Sequence, residues 1–142
     1  MPRTPFFLSH HPPSQYDRCL SIGPWKVCAR CLGLYPLLVG LLAAQIGLRL
    51  PMSLPGDALV VLLLPLPAFV VWTRGRFDPR SGSNLVRFAT GVLLAVALAR
   101  ALYLHMRQPF HPLAAIQFGA LALAAAIVEF AVRRRSVDPA GG

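Results

Sequence analysis

Four long apolar runs joined by short connections constrain this chain more than any other feature. They lie near residues 32–48, 58–72, 85–104 and 113–132, and a helix rising about 1.5 Å per residue needs about 20 apolar residues to cross a bilayer core. Apolar residues make up 56% of the chain and charged residues 13%, with the charges falling between the runs and not along amphipathic faces. This excludes a soluble domain and predicts an all-α fold, an integral membrane four-helix bundle with an N-terminal cytoplasmic Cys/His segment. The second run is short and carries Pro65 and Pro67, which remove backbone hydrogen bonds and kink a helix. It is expected to cross in a thin or distorted part of the bundle.

The formal charge is +9, yet the bases flank apolar spans instead of gathering on a water-facing surface, so the expected partners are membrane lipids and not nucleic acid. Eleven of the fourteen Lys and Arg residues border one side: Arg3, Arg18, Lys26, Arg30, Arg74, Arg76, Arg80, Arg87, Arg133, Arg134 and Arg135. Arg49, Arg100 and Arg107 fall on the other. The excess of positive charge predicts a multi-pass protein of the inner (plasma) membrane with both termini cytoplasmic. Phe6-Phe7-Leu8 is too short for a signal-peptide core, so the polar head is expected to stay in the mature protein. The expected organisation is a head over 1–31, the bundle over 32–135 and a disordered tail over 136–142. A bundle this small is a candidate for homo-oligomerisation. Glycines at 33, 40 and 47, and the Gly119, Ala122, Ala126 stripe, are read as close-packing positions.

The head concentrates the chemistry. All three cysteines and two of the four histidines lie between His10 and Cys31. Cys28 and Cys31 have the spacing that lets two sulfurs reach one ion, and Cys19 with His10 or His11 can complete a tetrahedral, zinc-like set. Turn-rich and short of apolar periodicity, the head can bury little surface, and metal closure would supply folding energy on the order of 10 kcal/mol. Zinc or another thiolate-binding metal is therefore one expectation. Dithiol exchange is another, because Cys28 and Cys31 adjoin a helix N-terminus with Arg30 between them. Unliganded interfacial cysteines are the plain alternative. In a reducing cytoplasm a permanent disulfide is not expected.

A second polar cluster precedes the third span. Ser83 or Asn84 is placed to cap that helix, and arginines here follow from the charge bias alone. The functional alternative is an anion or lipid-headgroup site in which Arg87, Arg80, Ser83 and Asn84, joined by Arg18 and Arg30, meet a phosphate-bearing lipid or other anion. Arg100 is expected to snorkel to the outer surface, Glu129 to pair with Arg133 or reach Arg87, and His105 and His111 to be solvated. No Ser/His/Asp order, carboxylate pair or nucleotide loop appears, so the sequence assigns no reaction.

His10-His11-Pro12, Arg18-Cys19, Cys28-Ala-Arg-Cys31-Leu-Gly-Leu-Tyr35 and Ser83-Asn84-Leu-Val-Arg87-Phe-Ala-Thr90-Gly91 together give the chain its likeness to other sequences. On these residues it resembles a family of predicted prokaryotic integral membrane proteins, domain of unknown function 2085. Many of that family's heads open with Cys-His where this chain has Ser9-His10. The resemblance implies a small multi-pass membrane protein and brings no activity. The expectation is thus an inner-membrane protein with a metal-binding head beside an anion site. The alternatives are a thiol-disulfide oxidoreductase using Cys28 and Cys31, or a small transporter or lipid-handling enzyme with Arg87 and Glu129 in a polar cavity.

Overall fold

The computed structural model describes residues 13–78 and 81–137. A 3-10 turn, Pro13–Arg18, leads into a hairpin of strands β1 (Cys19–Ile22) and β2 (Trp25–Cys28). Helices follow as α1 (Ala29–Leu48), α2 (Leu54–Leu63), α3 (Pro65–Phe77), α4 (Asn84–Arg107) and α5 (Pro112–Val137). Because α2 and α3 form one continuous stretch, four helical segments are long and apolar enough to cross a membrane: Ala29–Leu48, Leu54–Phe77, Asn84–Arg107 and Pro112–Arg135. The second is a full 24 residues, longer than its apolar run, and the expected distortion is a break at Leu64 and Pro65.

Each boundary has a local cause. Gly23, at φ +57°, takes the first central position of the two-residue turn between β1 and β2, a place that a side chain would strain. Arg49 ends α1 in the left-handed region, and Pro51 cannot continue the helix. Ser83 caps α4, its hydroxyl accepting from the Val86 N–H, as the sequence suggests. The His111 ring accepts from Leu113 N–H at the start of α5, and the His105 ring accepts from Phe110 N–H. These histidines thus bond the α4–α5 connection and are not merely solvated.

The bundle is organised around α4, which touches all the other helices and is buried along Arg87, Thr90, Gly91, Ala95, Ala97, Ala99, Ala101, Tyr103 and Leu104. Its small residues allow α1 to run parallel to it at close range. A Cβ on Gly91 would lie 2.5 Å from the Arg30 carbonyl oxygen, and one on Gly33 would lie 2.6 Å from that of Phe88. Gly40, Gly47 and Gly119, read from the sequence as packing positions, have nothing within 4 Å. Gly91→Ala is therefore expected to destabilise the protein by about 1–3 kcal/mol, since backbone must move. Gly40→Ala should be neutral or slightly stabilising through helix propensity alone. Unfolding of both variants in mild detergent checks the contrast; equal effects would remove the close crossing from the account.

At the end away from the hairpin, Val61, Ala101, Leu104, Leu113 and Ala114 form the apolar core. Beside it lies a charged cluster. Arg100 Nε donates to Asp57 Oδ1 at 2.6 Å, Nη1 to Gln45 at 3.2 Å and Nη2 to the Pro51 carbonyl at 2.6 Å. Asp57 also accepts from the Ser53 N–H, and Tyr103 donates to the Leu50 carbonyl. The expected snorkelling of Arg100 is thus replaced by burial: its side chain is 12% exposed and that of Asp57 8%. A carboxylate and two further acceptors satisfy the guanidinium in place, so it need not reach water.

Candidate functional site

The hairpin delivers its cysteines to the first turn of α1. Cys19 lies directly opposite Cys28 in the strand register, and both are buried. Cys28 is the residue before α1, so Cys31 falls one turn along the helix, and the two thiols are in hydrogen-bonding contact. A two-stranded hairpin is marginal alone. Here Asn84 Nδ2 donates to the carbonyls of Asp17 at 2.9 Å and Cys19 at 3.4 Å, tying the head to the start of α4. Strand pairing and these bonds hold the hairpin against the bundle.

Among the described residues no group of three or more His, Cys, Asp or Glu side chains is arranged to hold a metal ion. Cys28 and Cys31 contact each other, and the expected ligands His10 and His11 lie outside the described residues.

The arginines converge more fully. A cavity of about 500 Å³ opens at the hairpin end, and among the described residues lining it are Arg18, Arg30, Arg76 and Arg87 but no carboxylate. Cys28 and Cys31 form part of the same wall, with Tyr35 and Trp72. Of the residues expected at an anion site, Arg18, Arg30 and Arg87 are brought together here, while Arg80 lies outside the described residues. Ser83 and Asn84 serve the frame: one caps α4, and the other holds the hairpin and accepts from Arg87 Nη1 at 3.3 Å. Arg87 also donates to the Ser81 carbonyl at 2.7 Å.

Arg30 differs from its neighbours. Its Nε is buried and has no hydrogen-bond partner, and among the described residues it forms no ion pair. The close approach of α1 to Gly91 fixes it there. Arg76 was missed from sequence because the charge bias already accounted for it. It bonds Glu129 at 2.5 Å, so Glu129 pairs across helices and not with Arg133 on its own helix or with Arg87. A signal was available in the Trp72 to Arg76 spacing, one helical turn, which puts an aromatic and a cation on one face of α3.

Four apolar spans with a hairpin-capped, arginine-lined cavity define an integral membrane protein of the four-helix class. The model of a family described as predicted membrane protein (DUF2085) matches residues 13–102, and the chain belongs to that family. The match runs from the 3-10 turn through most of α4 and takes in every cavity residue named above. No curated protein and no solved structure matches the chain.

Proposed function

We propose that the cavity at the hairpin end is a receptor site for an anion with phosphate-like oxygens, and that this end of the bundle faces the cytoplasm at the plasma membrane. The observation that carries the reading is Arg30, a cation whose buried Nε lacks a partner in a wall shared with three other arginines. An N–H taken out of water with no acceptor costs about 1–3 kcal/mol, and an anion supplies the missing acceptor. Guanidinium forks suit phosphate or carboxylate, and they bond it most strongly where water is excluded. The described basic residues at this end of the helices, Arg30, Arg74, Arg76, Arg87 and Arg133 to Arg135, support a cytoplasmic orientation.

Inorganic phosphate is the first probe. A ligand at 100 times its Kd stabilises a fold by about 2.7 kcal/mol. In a neutral sugar detergent at fixed ionic strength, phosphate is expected to raise the unfolding temperature of the wild type saturably and to leave Arg30→Gln unmoved. Equal shifts in the two proteins would defeat the proposal.

The contact between Cys28 and Cys31 favours a second reading, thiol-disulfide exchange. One thiolate of the pair would attack a substrate disulfide and release one substrate thiol. The other would then displace the second, leaving a Cys28–Cys31 disulfide and a substrate reduced by two electrons. Cys31→Ser is accordingly expected to accumulate a mixed disulfide through Cys28, and the double serine variant to accumulate none. Stoichiometric zinc in wild type, absent from the double serine variant, would assign the thiols to metal instead.

A further inference from the structure

The cationic cavity adjoins a second, apolar space. This groove of about 230 Å³ lies between α3, α4 and α5 and is walled by Pro65, Ala68, Phe69, Leu94, Leu121 and Ala125. Arg30 and Trp72 line both spaces. An occupant confined to the groove would set pure hydrocarbon against a guanidinium whose Nε has no acceptor. An inorganic anion confined to the cavity would leave the groove unfilled.

Resting on the anion reading, we infer that the ligand is a single amphiphile, a phosphate-headed lipid with its head at Arg30 and Arg87 and the first part of its chain in the groove. The chemistry of the two walls matches the two halves of such a molecule. Arginine forks recognise phosphate oxygens. The groove belongs to segments of α3, α4 and α5 apolar enough to lie in a bilayer, where the only abundant filler is a hydrocarbon chain. Walled by six apolar side chains between three helices, the groove suits a stretch of one chain. Trp72 stands at the junction, an aromatic whose apolar body and polar N–H suit the boundary between head and tail.

Trp72 also supplies the readout, since Trp25 is the other of the two tryptophans and can be replaced by Phe. In that background, in neutral sugar detergent, a single-chain lysophosphatidate brominated along its chain is expected to quench Trp72 saturably. The monoacylglycerol with the same brominated chain should need about tenfold or more higher concentration, the difference expected for losing a charge-assisted contact. Ala125→Phe, which fills the groove, should weaken lysophosphatidate by a similar factor while phosphate still stabilises the protein; Ala68→Leu is the second variant if the first does not fold.

Phosphate stabilisation without saturable quenching would overturn the amphiphile and leave the anion site standing. Quenching as strong by the uncharged lipid, or undiminished in a folded groove variant, would overturn it too. If phosphate and lysophosphatidate both fail to bind, the anion reading falls with it.

Discussion

Asp57→Ala is expected to lower the unfolding free energy by about 3–5 kcal/mol, the usual consequence of stranding one member of a buried ion pair. Arg100 would keep Gln45 and the Pro51 carbonyl but lose the only carboxylate it meets among the described residues. The pair ties α4 to α2, and the other two bonds extend the tie to α1 and the connection behind it, so the loss should be felt across three spans. A companion variant separates charge stranding from lost packing. Asp57→Leu with Arg100→Met removes both charges at similar volume and should recover most of the loss, with the remainder reflecting Gln45, which is buried and would lose its donor. Chemical unfolding in detergent measures all three proteins. A single variant within about 1 kcal/mol of wild type would mean that water reaches Arg100, as for an exposed ion pair.

Removing Arg30 should have the opposite sign. Without ligand, Arg30→Met is expected to raise stability by about 1–3 kcal/mol, because a group with a buried, unpartnered N–H is exchanged for an apolar one of similar length. The same variant should lose all response to phosphate. Stability gained together with binding lost is the pattern of a residue kept for its ligand. A stability loss would instead place an acceptor beside Arg30 and make its role structural. Chloride at matched ionic strength controls for general screening.

The spans were legible because hydropathy registers length and apolarity, which are what a bilayer demands. Their ends were less so. α1 begins at Ala29 and not at 32 because the hairpin feeds straight into it, and its first turn contains Arg30, which hydropathy counts against a span. Asp57 was missed for the same reason: it sits in the first turn of α2, just before the apolar run, and reads as loop until Arg100 is seen opposite it. The hairpin has its own signal in Cys19-Leu-Ser-Ile, Gly23-Pro24 and Trp-Lys-Val-Cys28, two short runs about a two-residue turn. Two of the blocks that carry the family resemblance, Cys28 to Tyr35 and Ser83 to Gly91, touch each other. Gly33 meets Phe88, Gly91 meets Arg30, and Asn84 holds the head. Spacing along the chain could present each block but not their contact, since the register between α1 and α4 is set by where small residues let backbones meet. The convergence of Arg18, Arg30 and Arg87 follows from that register, and so does the presence of two cysteines in the cavity wall.

The Asp57–Arg100 pair also dictates an order of events during synthesis. Its partners are 43 residues apart, with Asp57 made first. At roughly 5–20 residues per second, the acid precedes its arginine by about 2–9 s. For that interval span two carries an unmatched carboxylate, worth about 2.5–3.5 kcal/mol against insertion if it reached the middle of the bilayer. The hairpin likewise waits for Asn84. Span two therefore has reason to linger at the insertion machinery until α4 emerges, and the ribosome delivers the hub of the bundle only after the hairpin, α1, α2 and α3.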